Sequence, residues 1–248
     1  VTALLAGVIT FALTTFLTIA GLGAAFVLIP VFLALGVEVH TAMATALLLN
    51  ALSMSVASVR FVRQRLVDFG LAVPMVIVAV VLSPVGVWVS RGLPRSQLLW
   101  GFVVFLLFAA AMMFFYQPRR RLVVVAAGPR VVLGLGVGGL AGFVGGLLGV
   151  GGGNLILPAL VGAGLDPKRA SATSAFVVVF ASFAGFAGHL GTGGISYPLL
   201  GWTAAGAAAG ALLGSWLMTD KLNSRQVKLL IGAVLVVVAV KMIWGLAA

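Results

Sequence analysis

The stretch "GLLGVGGGNLILP", residues 146 to 158, places five glycines and an asparagine in a run that disfavours a continuous helix. Its surroundings are apolar for most of the chain. Of the 248 residues, 62% are hydrophobic and only 8% are charged, and apolar runs of about twenty residues recur from end to end. Runs of that length span a bilayer as helices, so the expected class is an all-α, polytopic membrane protein. No polar linker separates a second, water-soluble domain, and the first twenty residues, lacking a basic leader, read as a retained first span.

In such a chain a break is informative. Non-helical backbone at membrane depth is tolerated only where it is buried in protein or lines a watery cavity. The glycine run has an echo. Offsetting the sequence by 128 positions aligns Gly21 with Gly149, Gly23 with Gly151, Pro30 with Pro158, Gly36 with Gly164, and Glu38 with Asp166. The same offset pairs Ala42 with Ala170, Thr45 with Thr173, Phe69 with Tyr197, Gly86 with Gly214, and Trp88 with Trp216. An internal duplication follows: residues 1–118 form one repeat, 119–130 a basic cytoplasmic connector, and 131–248 the second repeat.

Each repeat divides into five apolar segments, about 2–20, 24–36, 41–60, 70–90 and 97–116, then 131–149, 154–165, 169–189, 197–218 and 226–246. The second of each set is short: as a helix it covers roughly 20 Å of a hydrocarbon core about 30 Å thick. It is expected to be a half-helix or a strongly kinked one.

Loop charge relates the halves. "RFVRQR" (60–65) is basic where its counterpart "HLGTGG" (189–194) is neutral, while "GVEVH" (36–40) lacks the cations of "GLDPKR" (164–169). Equivalent loops on opposite sides define an inverted repeat. The arginines at 119–121 place the connector in the cytoplasm and both termini outside, although "RGLPR" (91–95) then puts two arginines on the outer side. Topology also accounts for the net charge of +11, so no nucleic acid is expected as a partner.

A half-helix beginning after each break aims free N–H groups and the positive end of its dipole at the break, a place for an anion. Gly21, Gly23, Gly149, Gly151, Gly152 and Gly153 are the candidate break residues; the alternative role is close helix packing, which "GLGVGGLAGFVGG" (134–146) suits better. Asn154 is placed to cap its half-helix or to offer its amide to a ligand. Thr45, Thr173, Ser174, Asn50 and Ser53, with Ser182, put polar groups at apolar depth, where they need partners; bonds to neighbouring helices or their own carbonyls would also satisfy the hydroxyls. Thr45 and Asn50 lie about 140° apart on a helix, whereas Asn50 and Ser53 can share a face.

Glu38, Asp68, Asp166 and Asp220 all fall in loops or at segment ends, so none is placed as a buried proton relay. His189 is a candidate for proton coupling, with helix capping as the alternative, and Arg60 for gating, with interfacial snorkelling as the alternative. No catalytic triad, buried carboxylate pair or metal-ligand cluster can be assembled, so neither enzyme chemistry nor a cofactor is expected. The chain has no cysteine.

Two long stretches, "GGLLGVGGGNLILPALVGAGLDPKRASATSAFVVVFASFAGFAGHLGTGGI" (145–195) and "GLGAAFVLIPVFLALGVEVHTAMATALLLNALS" (21–53), resemble the two halves of the sulfite exporter TauE/SafE family. The resemblance implies export of small sulfur-containing anions, sulfite or organosulfonates, across the cytoplasmic membrane of a prokaryote. The first half departs from the glycine-rich pattern: "GLGAAF" stands there, with Phe26 opposite Asn154, so the two half-sites are expected to be unequal. The expectation is a secondary transporter working by alternating access, with a small anion and the lipid bilayer as partners. The coupling ion, H+ or Na+, and a homodimer stay open, as do a passive anion channel and another small organic anion as cargo.

Overall fold

The computed structural model describes residues 2–19, 21–34, 36–94, 96–97, 127–189 and 197–223, with scattered positions in 100–111 and 226–244. Most of the fifth apolar segment of each half and most of the connector lie outside the described residues. All regular structure among the described residues is helical: α1 (Thr2–Ile19), α2 (Ala25–Ala34), α3 (Val39–Arg63), α4 (Phe69–Ser90), α5 (Ala127–Leu148), α6 (Gly153–Gly162), α7 (Pro167–His189), α8 (Tyr197–Trp216) and a π-helical turn, Leu217–Lys221. Among the described residues, four helices are long and apolar enough to cross a membrane: Val39–Arg63, Phe69–Ser90, Arg130–Leu148 and Pro167–His189.

The expected short segments are short indeed. α2 and α6 have 10 residues each, about 15 Å of helix. Their boundaries follow from backbone chemistry. Gly21 and Gly149 have φ of 64° and 71°, the left-handed conformation that glycine adopts without a Cβ penalty. There the chain turns out of α1 and α5, with Leu22 N–H donating to Leu17 C=O and Val150 N–H to Gly145 C=O, a Schellman arrangement. Gly36 and Gly164 end α2 and α6 in the same way. Glu38 then caps α3 by accepting from the His40 and Thr41 N–H groups at 2.9 and 3.0 Å, and Asp166 accepts from Lys168 N–H at 2.9 Å. Each device recurs after 128 residues.

Helix directions can be read from cross-contacts. α3 and α7 are antiparallel: His40 lies near His189, Asn50 bonds Ser182, and Asp68, just past α3, bonds Thr173. α4 and α5 are parallel, because Gly138 and Gly142 meet the backbones of Met75 and Ala79 in turn. α1 and α8 are likewise parallel, with Gly206, Gly210 and Gly214 seated on Gly7, Phe11 and Thr15. Small residues every fourth position let these backbones approach, the packing mode available where lipid removes the hydrophobic drive for association.

α5 begins at Ala127, so Arg130, expected in the connector, sits in its first turn. Pro129 suits that turn, where a missing N–H removes no helical bond. Arg130 reaches back to Asp68 at 2.8 Å, with Arg169 at 3.8 Å on the same carboxylate oxygen.

Candidate functional site at the paired glycine breaks

Past the first turn of each break a second left-handed glycine follows, Gly23 at 75° and Gly151 at 74°, and Gly152 adds a third on the second side at 77°. These glycines have no room for a side chain. A Cβ on Gly23 would fall on the Asn50 amide, and one on Gly151 would strike Ser182 Oγ and the same Asn50 amide. Both breaks therefore close on one polar pair, in which Asn50 Nδ2 donates to Ser182 Oγ at 2.9 Å. The breaks also touch each other directly: a Cβ on Gly153 would lie 2.9 Å from the Leu22 carbonyl oxygen.

α7 threads this junction. Ser171 Oγ donates to Ile19 C=O at 3.0 Å and lies against Gly21; Ser174 Oγ donates to Gly153 C=O at 3.4 Å; Ser182 meets Gly151. Spacings of three, then eight residues put these serines on one helical face. α3 does the equivalent with Met43 against Gly149 and Asn50 against Gly23. Met43 and Ser171 are themselves 128 residues apart, so the contacts exchange between halves.

Two amides here are incompletely bonded. Asn154, the second residue of α6, is fully buried, and neither its Nδ2 nor its Oδ1 has a hydrogen-bond partner; Asn50 Oδ1 is buried without one as well. An unpaired buried amide costs about 1–3 kcal/mol, so native structures rarely keep one without a use. Asn154 does not cap its helix: the cap residue is Gly152, which has no side chain to offer, and Asn154 already lies in the first turn. The N–H groups of that turn lack helical acceptors by construction, and the dipole makes the end electropositive. Pro158 has no N–H to donate to the Asn154 carbonyl, which removes one bond of α6.

The other expected site residues divide. Ser53 is buried beside the junction, but its hydroxyl donates to Asn50 C=O at 3.1 Å. Thr45 is buried on α3. Thr173 accepts from Asp68 N–H at 3.0 Å, which anchors the α3–α4 loop nine residues, or about 13 Å of helix, from Ser182. His189 lies at the far end of α7, its Nδ1 3.0 Å from Gly185 C=O and its ring 6.2 Å from that of His40. At that end Arg91 donates to Gly188 C=O. Arg60, at the opposite end, is not a free snorkelling cation: it donates to Thr219 Oγ1 at 3.0 Å and pairs with Asp220. The offset of 128 relates Arg60 to Gly188 and Thr219 to Arg91, so the two guanidinium latches occupy equivalent places at opposite ends.

The sequence shows the polarity of Ser182 without assigning it to the site and places Asp220 only as an acid at a segment end, while Ser171 and His40 carry no signal that marks them. The 128-residue offset points to none of these partnerships, because each joins residues whose counterparts are chemically different.

Long apolar helices, close-packed small residues and two glycine breaks meeting at buried amides define a multi-pass helical membrane protein with a polar centre. A family model described as "Sulfite exporter TauE/SafE" matches residues 5–242, and the chain belongs to that family of membrane transporters. Curated relatives include the "Probable membrane transporter protein YunE" of Bacillus subtilis, 30% identical over 113 residues, 45% of this chain and 41% of that protein. Another is the "Sulfite exporter TauE/SafE family protein 1" of Arabidopsis thaliana, 44% identical over 70 residues, 28% of this chain and 14% of that protein. The chain thus aligns with less than half the length of either relative. No solved structure matches.

Proposed function

We propose that this protein is a secondary transporter that exports small sulfur-containing anions, sulfite or an organosulfonate, across the cytoplasmic membrane of a prokaryote by alternating access. The observation that carries the anion site is Asn154: a fully buried amide with both polar atoms unpartnered, at a helix N-terminus, where the two breaks meet. The α6 N–H groups and the Asn154 and Asn50 amides would hold the oxyanion, with the break glycines giving the backbone its close approach. Ser174 and Ser53 would support that centre from α7 and α3, with Thr45 and Thr173 further along the same helices. Sulfite as cargo rests on the family and on the name of the plant relative.

Two inverted repeats of five segments supply the rocking unit. Support comes from the opposite directions of the equivalent helices α3 and α7 and from contacts that exchange under the 128-residue offset. Arg60 with Asp220 would latch one end of the pathway, and Arg91 with Gly188 the other. The His40–His189 pair beside the second latch is the place where proton coupling would act.

Trans-stimulation tests alternating access. Unlabelled sulfite on one side of a proteoliposome should accelerate efflux of labelled sulfite from the other; a passive anion channel gives no acceleration.

A further inference from the structure

Outside the central junction, a cavity of about 400 Å³ opens between α3 and α7 near the basic end of α3, lined by Ser55, Ser58, Val59, Val62 and Arg63 on one side and by Phe176, Val179 and Phe180 on the other. Volumes of this size take a specific ligand. Its walls are almost wholly apolar, and Val59 and Phe180 expose 54% and 40% of their surfaces on the same outer face. Phe176 stacks edge-on between Phe69 and Phe180, at 5.4 and 5.3 Å between centroids, and stiffens that wall.

Two polar features break the apolar lining. Ser55 Oγ donates to Ala51 C=O at 2.7 Å, the usual way for a helical serine to satisfy itself. Ser58 does not: the residue lines the cavity and is buried, and its hydroxyl has no hydrogen-bond partner. Five residues on, Arg63 ends α3. Unlike Arg60, which is held by Asp220 and Thr219, Arg63 makes no ion pair among the described residues. Arg63 follows Ser58 by five residues, about 7.5 Å of backbone rise along the axis, and both residues line the cavity. The deeper group lies within the apolar face, the outer one where a 25-residue helix emerges from a hydrocarbon core of about 30 Å.

We propose that this groove binds an anionic glycerophospholipid. Its phosphate sits on Arg63, an acyl-ester carbonyl accepts from Ser58 Oγ, and one acyl chain lies along Val59, Phe176, Val179 and Phe180. A small soluble anion would gain one exposed cation and face an apolar wall; only a ligand with a charged head, an acceptor one to two turns deeper and a hydrocarbon tail uses every feature. Charge selects the headgroup, since a juxtamembrane arginine attracts anionic over zwitterionic lipid.

The proposal does not depend on what the protein transports, and neither does its test. The full chain, purified in detergent, is incubated with equal amounts of phosphatidylglycerol and phosphatidylcholine of identical acyl chains, and bound lipid is read by native mass spectrometry. Wild type should retain the anionic lipid about fivefold better. Arg63→Gln should abolish the preference at unchanged thermal stability, and Val59→Trp, which fills the groove, should reduce retention of both lipids. Equal retention by wild type, or an undiminished preference in Arg63→Gln, overturns the proposal. So does displacement by inorganic phosphate, which would mark a soluble-anion site, or a Val59→Trp variant that changes only the monomer–dimer ratio, which would mark a subunit interface.

Discussion

Replacing Asn154 by leucine should make the empty protein more stable and the anion complex weaker. In the structure the Asn154 amide is fully buried, and neither polar atom has a partner. Each fold of the unliganded chain therefore carries a desolvation cost of about 1–3 kcal/mol, which an apolar side chain of similar size removes. With an anion in place the amide N–H donates to a charged acceptor, a bond worth about 1.5–3 kcal/mol, so Asn154→Leu should weaken binding about 10- to 150-fold. The assay is paired: thermal unfolding of detergent-solubilised wild type and variant, then sulfite titration of each by ligand-induced stabilisation. Phe26→Leu is the control at the equivalent position of the first half. Phe26 is fully buried and wholly apolar, so its truncation should cost about 1 kcal/mol of stability and leave affinity unchanged. If Asn154→Leu destabilises the empty protein and binds sulfite as wild type does, the amide has a structural partner and the site reasoning fails. Equal losses of affinity in the two variants would remove the inequality between the half-sites.

Other perturbations test the architecture around that amide. Gly23→Ala and Gly151→Ala combine a left-handed backbone with a collision at Asn50 and should cost about 2–5 kcal/mol. Gly36→Ala, left-handed but with open space around its Cβ position, should cost only about 1–2 kcal/mol in the same unfolding assay; equal costs would contradict convergence of the breaks. Asp220→Asn removes a half-exposed ion pair with Arg60 and so should change stability by at most about 1 kcal/mol, while labelling of a Ser53→Cys probe, in a chain with no native cysteine, should quicken from the Arg60 side. Glu38→Ala should destabilise by about 1 kcal/mol through loss of the α3 cap. Burial works against the Glu38 carboxylate, but the N–H groups of His40 and Thr41 outweigh it and hold its pKa below the ordinary value. The cap therefore contributes fully above the unfolded-state pKa and fades as pH falls through the lowered one, so the variant should show a flatter acid limb in a melting-temperature profile.

Much of the scaffold was legible because it is written in local chemistry. Glycines at 21, 23, 36, 149, 151, 152 and 164 hold the left-handed turns that bound α2 and α6, and Glu38 and Asp166 sit where helices need caps. The fate of hydroxyls was not legible. Ser53 bonds its own helix, Ser174 a neighbouring break, and Thr173 a loop, yet each reads in sequence as the same small polar residue at apolar depth. Long-range partnerships were hidden for a related reason. Asn50 with Ser182 and Arg60 with Asp220 depend on which helices pack and in what register, and that is set by small-residue stripes far from the residues themselves. Asn154 was picked out for following three glycines; that its amide is left unpaired required the packed structure.

The most direct test of the central claim is a flux panel in proteoliposomes, comparing sulfite, sulfate, sulfoacetate and simple carboxylates with and without a pH gradient. Saturable flux of sulfite or the sulfonate, strongly reduced by Asn154→Leu, is the predicted result. Absence of flux for both sulfur anions, or unsaturable flux of every anion alike that Asn154→Leu leaves unchanged, would contradict it.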